Sequence, residues 1–287
     1  MAARVWTVAF SGIDVIPIEV QVQVTPGLPA FVIVGLPDKA VGESKERIRN
    51  ALHAIGLMIP LQHITVNLAP ADIQKGGSHY DLAVAVCLLG IMDVLPLQEI
   101  NQYMMMGELA LDGSIRGVTG VLPAAMAAFN RNLKFICPHS SGPEAAWIKD
   151  LNILAPNSLL ALVNHFKGVQ TLTPPIPGIA EKPASIKDLK DIKGQETARR
   201  ALEIAAAGGH NMLMMGPPGS GKSMLASRLP GILPPLTPNE ALELTMIYSV
   251  AGMLKEGQLL SHRPFRDPHH SASLPSLVGG GIHAKPG

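Results

Sequence analysis

The chain has 287 residues, of which 47% are hydrophobic and 16% are charged, and its formal net charge is +1. This composition excludes an intrinsically disordered chain, and the length allows two domains with separate cores. A net charge so close to zero argues neither for nor against a nucleic-acid partner. We expect a soluble, cytosolic protein without a signal peptide or a membrane span, because the longest apolar run, residues 82–92, is too short to cross a bilayer.

The first 166 residues alternate short strands and helices, which indicates an α+β domain. Runs rich in Val and Ile predict strands over residues 4–10, 16–24, 30–35, 63–68, 134–137 and 151–154. Helical spacing of apolar residues predicts a helix over 38–55, and an apolar segment predicts a buried helix over 80–92. Further helices are predicted over 122–129, 144–149 and 158–166. Residues 103–116 predict a hairpin that turns at Asp112-Gly113. Cys87 and Cys137 lie in apolar segments and are predicted to be buried, reduced thiols.

A change in composition separates this region from the rest of the chain. Residues 171–184 contain four prolines and little periodicity, which predicts a linker. We therefore divide the chain into an N-terminal domain over 1–168, a Pro-rich linker over 169–187 and a second domain over 188–287. The second domain is predicted to begin with a helix over 194–207 and to continue with a short strand over 211–215.

The segment after this strand matches the pattern G-x-x-x-x-G-K-[ST], which is the signature of a phosphate-binding loop. Glycines allow the backbone N–H groups to turn inward around phosphates, where a Cβ would obstruct them. The lysine brings a positive charge to the β and γ phosphates, and the following hydroxyl is a ligand for Mg²⁺. The residues of this loop are Gly216, Pro217, Pro218, Gly219, Ser220, Gly221, Lys222 and Ser223.

Longer segments on both sides of the linker carry a family resemblance. They are FSGIDVIPIEVQVQVTPGLPAFVIVGLPDKAVGESKERIRNAL, NLAPADIQKGGSHYDLAVAVCLLG, DIKGQETARRALEIAAAGGHNMLMMGPPGSGKSMLASRLPGILPPL and RPFRDPHHSASLPSLVGGG. Together they cover nearly the whole chain and resemble the magnesium-chelatase-like AAA+ proteins, most closely the competence-associated ComM/YifB group.

This resemblance implies a fold, a set of site residues and a set of partners. The fold is an N-terminal α+β domain of the Lon-protease type, followed by an incomplete P-loop AAA+ α/β domain. Ile192, Gly194 and Gln195 belong to the stretch that packs on the adenine, the loop holds the phosphates of ATP, and Ser223 is the ligand of Mg²⁺. Members of the group resemble homo-hexameric motors that move branched or single-stranded DNA during recombination and transformation.

The Lon-type domain is expected to be a scaffold or a substrate-engaging module and not a protease. Lon proteases use a serine and a lysine, and the corresponding positions here align with His79 and Leu122. Ser78 lies next to the first of these positions, but no lysine base is aligned to activate its hydroxyl. We therefore expect Ser78 to cap the helix that follows it.

Two features of the second domain leave its chemistry open, and the catalytic residues are unknown. Asp267, His269 and His270 suggest a metal site, but adjacent histidines in a strand point to opposite faces and no further ligand has zinc-site spacing. We expect this segment to position the nucleotide or to form a DNA-facing loop. An acidic Walker B strand is also absent before residue 287, so we expect a chain that is truncated just before it and hydrolyses ATP poorly.

Four hypotheses follow from these observations. The first is an ATP-binding motor of the ComM type that acts on DNA in its full-length form. The second is a magnesium-chelatase-like ATPase subunit, against which the Lon-type domain argues. The third is an ATP-dependent protease, and the fourth is a nucleotide-binding remnant without turnover.

Overall fold

The computed structural model describes residues 2–180, 187–255 and 257–280. These residues form two compact units. The N-terminal unit contains the residues up to Ile179, Thr245–Gln258 and the described residues from Leu274 on, and the P-loop unit contains Ala180–Leu244 and Leu259–Ser273. Because the units interleave along the chain, the boundaries 1–168, 169–187 and 188–287 stay a prediction. Residues 285–287, after which the acidic strand is expected, lie outside the described residues.

The N-terminal unit is built on a seven-stranded mixed sheet. The strands in the described ranges are β1 Ala2–Ser11, β2 Asp14–Thr25, β3 Ala30–Val34, β4 His63–Ala69, β5 Tyr103–Met105, β6 Glu108–Leu109, β7 Ile115–Arg116, β8 Lys134–Ile136 and β9 Ile153–Leu154. The sheet has the order β3-β4-β2-β1-β5-β8-β9, and β6 and β7 form a separate two-stranded hairpin. In the sheet, β2 is antiparallel to β1 and to β4, whereas the other neighbouring strands are parallel.

Among the described residues, six α-helices accompany these strands before the linker, and five further α-helices follow. They are α1 Lys39–Ala54, α2 Asp81–Ile91, α3 Leu97–Ile100, α4 Val121–Asn130, α5 Gly142–Ala145, α6 Leu159–Phe166, α7 Glu196–Gly208, α8 Lys222–Ala226, α9 Leu229–Ile232, α10 Pro238–Val250 and α11 Leu274–Val278. None of the helices in the described ranges is long and apolar enough to cross a membrane.

The core of the N-terminal unit lies between the sheet and α2. Every residue of α2 from Asp81 to Gly90 is buried, and the helix packs on β1, β2 and α1. On β4 the buried residues alternate, as expected for a strand with one face on the core, and they are Ile64, Val66 and Leu68. Cys87 and Cys137 are free and buried, which confirms that prediction, and burial raises the pKa of the Cys87 thiol to about 12.

Three predictions for the N-terminal unit are wrong in whole or in part. The helix expected over 144–149 is α5, which already ends at Ala145. The hairpin is confined to β6 and β7, because residues 103–105 are buried and pair with β1 and β8 in the main sheet. Ser78 does not cap α2, because the helix begins at Asp81 and the residue in the N-cap position is Tyr80. The Ser78 hydroxyl donates instead to the Glu108 carboxylate.

The P-loop unit has a small core, formed by Leu189, Ile192, Leu202 and Leu225. The predicted strand over 211–215 is not formed, because none of the strands in the described part of the chain lies in this unit to pair with it. The segment is irregular, with Met212 and Met214 packed against the core, while Leu213 is 84% exposed and Met215 86%.

Helix α10 was not predicted, although its start carries a sequence signal. The signal is T-P-N-E, a capping box with proline at the first helical position. The Glu240 amide donates to Thr237 Oγ1 at 3.3 Å, and the Thr237 amide donates to Glu240 Oε2 at 2.8 Å. These reciprocal bonds satisfy two backbone donors that a helix start otherwise leaves without partners.

Candidate nucleotide-binding site

The glycine-rich loop turns sharply between Met215 and the start of α8. Gly219 and Gly221 have φ angles of 79° and 87°, which lie in the left-handed region. A glycine adopts such angles without steric cost, whereas a side chain there is strained. Helix α8 begins at Lys222, directly after the second of these glycines. The spacing of glycines in the sequence therefore sets the curvature of the loop.

The ammonium group of Lys222 lies inside this curve. Its Nζ donates to Gly216 O at 2.8 Å, to Pro217 O at 2.9 Å and to Ser220 Oγ at 3.3 Å. All three of its donors are thus directed at oxygens of the loop. Phosphate oxygens are acceptors of the same kind and form stronger, charge-assisted bonds with an ammonium group. The arrangement fits the phosphates of a nucleotide.

The stretch assigned to the adenine contacts the loop through one side chain. Gln195 Nε2 donates to Ser220 O at 2.7 Å. Gln195 has a φ of 53° and Gly194 a φ of 74°, so the backbone turns just before α7 and directs this amide at the loop. Ile192 is only 5% exposed and packs in the core of the unit beside Leu225.

Two cavities adjoin the loop within the P-loop unit. One, of about 340 Å³, has Lys222 and Gln195 in its lining, together with the segment before the loop and Gly216, Pro217 and Ser220. The other, of about 640 Å³, has Ser223 in its lining, together with Lys187, Met224, Ser227, Arg228, Pro230, His262, Arg263, Phe265 and Asp267. Pro218 and Gly219 are exposed. The structure thus brings Gln195 to the loop and leaves Ile192 in the core of the unit, and the role of the predicted residues in binding nucleotide stays a prediction.

The second cavity contains an acidic residue from the segment that is expected to position the nucleotide or to form a DNA-facing loop. Asp267 and Ser223 line the same space. Carboxylate and hydroxyl oxygens are ligands of the type that Mg²⁺ takes. The segment that carries Asp267 is 44 residues from Ser223 in sequence, so only the fold brings the two together.

His269 and His270 do not point to opposite faces of a strand, so that expectation is wrong. Residues 263–269 form no strand, and the two rings lie side by side with their centroids 4.0 Å apart. His269 Nδ1 is 2.7 Å from Ser271 Oγ. Among the described residues, no group of three or more His, Cys, Asp or Glu side chains is arranged to hold a metal ion.

The positions aligned with the Lon catalytic residues have structural contacts in the N-terminal unit. His79 Nε2 is 2.9 Å from Val8 O, and burial lowers the pKa of its ring. Leu122 is buried at the start of α4. Lys75 is fully buried with Nζ donating to the Pro70 carbonyl, and loss of hydration lowers its pKa.

Two family models match the chain. A model described as magnesium chelatase, subunit ChlI, matches residues 188–287, and one described as subunit ChlI of Mg-chelatase matches residues 20–141. The protein YifB of Salmonella typhimurium is 42% identical over 285 residues, which are 99% of this chain and 56% of the relative. YifB of Escherichia coli K12 is 42% identical over 283 residues, again 99% and 56%. Competence protein ComM of Haemophilus influenzae is 41% identical over 290 residues, 99% of this chain and 57% of the relative.

The chain belongs to the ComM/YifB family of magnesium-chelatase-like proteins. The family resemblance seen in the sequence is confirmed, and the family is one of AAA+-type ATPases. The mixed α/β fold agrees with the predicted fold class, an α+β unit of the Lon type and a P-loop unit. The chain spans just over half the length of these ComM/YifB relatives.

Proposed function

We propose that the chain binds ATP with Mg²⁺ through residues 216–223 and is part of an AAA+ motor. The observation that carries this proposal is the position of Lys222, whose ammonium group is held inside the glycine loop by oxygens of that loop. Lys222 would neutralise phosphate charge of the bound nucleotide, Ser223 would be a ligand of Mg²⁺, and the 192–195 stretch would adjoin the base. Mg²⁺ would supply further neutralisation of the phosphate charge.

The full-length protein is proposed to act on branched or single-stranded DNA as a cytoplasmic homo-hexamer. This proposal is supported by the similarity to a relative named competence protein ComM. A second candidate is an ATPase subunit that serves a magnesium chelatase. The descriptions of both family models favour this candidate. One of the two models matches residues 20–141, which lie in the domain whose Lon-type resemblance is an argument against a chelatase.

Substitution of the loop lysine tests nucleotide binding. At a Mg-ATP concentration about 100-fold above the dissociation constant, binding should stabilise the P-loop unit by about 2.7 kcal/mol. Lys222→Ala should remove most of this gain, as measured by hydrogen exchange of α7 and α8 with and without Mg-ATP. Arg200→Ala is a matched control. Like Lys222→Ala it removes one positive charge from the P-loop unit, but Arg200 is an exposed residue outside the loop. Equal responses of wild type and Lys222→Ala to Mg-ATP would refute the proposal.

The choice between the two motor hypotheses needs the full-length protein. Its ATP hydrolysis should be stimulated by branched DNA and not by a porphyrin with Mg²⁺, and Lys222→Ala should abolish the stimulation. Stimulation by the porphyrin alone would replace the DNA hypothesis with the chelatase hypothesis.

A further inference from the structure

The N-terminal unit contains a polar cavity that the proposed motor function does not use. Its volume is about 340 Å³, at the lower end of the range for small-ligand sites. Its lining includes Phe10, Asp38, Gly77, His79, Tyr80, Thr119 and Gly120. Phe10 forms one wall, since a Cβ on Gly120 would lie 2.4 Å from its ring.

The protonation state of His79 follows from its hydrogen bond. Its Nε2 faces Val8 O at 2.9 Å, and a carbonyl oxygen only accepts, so Nε2 carries the proton. Burial lowers the pKa of the ring, although the Val8 carbonyl and Asp38 oppose this effect, and the ring is therefore neutral at pH 7. Nδ1 is left as a hydrogen-bond acceptor, next to Gly77.

Tyr80 supplies a buried hydroxyl without a partner. Its side chain is 0% exposed, and within the residues that the structure describes its hydroxyl forms no hydrogen bond. The Tyr80 ring packs against that of His79, with centroids 4.2 Å apart. A buried polar group without a partner costs folding free energy, so its retention needs an explanation such as a ligand.

Asp38 is the third group and carries the only formal charge among the described lining residues. Its Oδ1 accepts from the Val41 amide at 2.8 Å and its Oδ2 from the Gly77 amide at 3.2 Å. These two bonds fix the carboxylate at the start of α1 and leave further lone pairs on both oxygens. The negative charge favours a cationic ligand.

We propose that this cavity binds a protonated primary amine. The residues that line it carry a carboxylate, an imidazole lone pair and a phenolic oxygen, which match in number the three donors of an ammonium group. The Phe10 ring adds an aromatic face of the kind that attracts cations. A carboxylate ligand is disfavoured, because it would meet the charge of Asp38. The amine can belong to a lysine side chain or to the α-amino end of a peptide.

Small probes of the intact chain test this proposal. Binding of n-butylammonium and of n-butanol is measured by calorimetry and by shifts of the Gly77 and Gly120 amide signals in NMR spectra. Butylammonium should bind about tenfold or more tightly than butanol, because a charge-assisted bond to a carboxylate is lost with the neutral probe. Nα-acetyl-lysine methylamide then represents a lysine side chain, and glycylglycine amide represents the α-amino end of a peptide. The probe that binds more tightly identifies the source of the amine.

Two conservative variants locate the bound amine. Asp38→Asn should weaken butylammonium binding about tenfold while it keeps the helix cap, because asparagine caps as well as aspartate. Tyr80→Phe should weaken binding without lowering stability, because it removes a hydroxyl that has no partner among the described residues. Tyr103→Phe is the control, since Tyr103 is buried in the same unit but outside this lining. Equal affinity for both probes, or no loss in either variant, overturns the proposal.

Discussion

The two units of this chain bury their apolar side chains to very different extents. In the N-terminal unit, α2 is buried along nearly its whole length against a seven-stranded sheet. In the P-loop unit, Leu213 and Met215 are almost fully exposed and the core is small. The phosphate loop is nevertheless well formed, because its curvature depends on its own glycines and on bonds from Lys222 to neighbouring loop oxygens. A site built from local contacts does not need a large core, whereas a sheet does.

The largest expected effect concerns buried charge in the N-terminal unit. Arg47 and Asp81 form a two-bond ion pair with distances of 2.6 and 3.0 Å, and Asp81 is 1% exposed. Asp81→Ala should lower the free energy of unfolding by about 3–5 kcal/mol, because it leaves the guanidinium group without its buried partner. Breaking the exposed Arg200–Glu203 pair of the P-loop unit by Glu203→Ala should cost no more than about 1 kcal/mol. If urea unfolding showed similar losses of unfolding free energy for Asp81→Ala and Glu203→Ala, the contrast between the units would be contradicted.

Replacing a leucine by alanine in each unit tests the same difference in burial without changing any charge. Leu88→Ala removes a side chain that is 0% exposed and should cost about 2–5 kcal/mol, since it leaves a cavity in the core. Leu213→Ala changes a side chain that is 84% exposed and should stay within about 0.5 kcal/mol. Chemical denaturation of both variants measures the two values. A large loss for Leu213→Ala would mean that this residue is buried in solution.

The contrast also explains which elements could be predicted from the sequence. Strands β1, β2 and β4 and helix α1 have strong periodicity, helix α2 has a continuous apolar run, and the structure confirms all five within a few residues. Residues 211–215 look equally strand-like, but a strand also needs a neighbour to pair with, and sequence periodicity does not report one. Residues 103–105 show the converse, because pairing with β1 and β8 removes them from the predicted hairpin.

The candidate site was accessible to sequence reasoning only where it is local. The loop itself follows from its glycine and lysine spacing, which acts over eight residues. The bond from Gln195 to Ser220 and the shared cavity of Ser223 and Asp267 depend on residues far apart in the chain, which no local pattern encodes. The start of α10 was missed although its capping box was present.

A pH effect is expected in the N-terminal unit. Burial lowers the pKa of His79 from its ordinary value of 6.5, with the Val8 carbonyl and Asp38 acting in the opposite direction. As the pH falls below about 6.5, the unfolded chain therefore takes up a proton that the folded chain does not. The free energy of unfolding should fall by up to about 1.4 kcal/mol per pH unit in this range.

His79→Gln should flatten this dependence between pH 6.5 and pH 5. Urea unfolding at several pH values measures the slope for both proteins, and an NMR titration of the His79 ring reports its pKa directly. Burial raises the pKa of Glu144, so this group changes the free energy of unfolding with pH in the opposite direction. Its contribution is the same in wild type and in His79→Gln and therefore cancels when the two slopes are compared. Identical slopes would show that His79 is not the group responsible.

The smallest expected effect concerns the link between Gln195 and the loop. Gln195→Ala removes the 2.7 Å bond to Ser220 O but keeps a Cβ at a φ of 53°. Gln195→Gly removes the same bond and also relieves the left-handed backbone. A single hydrogen bond is worth about 0.5–1.5 kcal/mol, so both variants should weaken Mg-ATP binding by about two- to tenfold.

The pair of variants separates two physical causes of that loss. If the hydrogen bond holds the loop in its binding shape, alanine and glycine should weaken Mg-ATP binding equally, as measured by calorimetry. If the strained backbone matters instead, the two affinities should differ, because only glycine releases the strain. Unfolding of the N-terminal unit should be unchanged in both variants, because residue 195 belongs to the P-loop unit. Wild-type affinity in both variants would show that the bond to Ser220 is dispensable and that the glycines and Lys222 alone shape the loop.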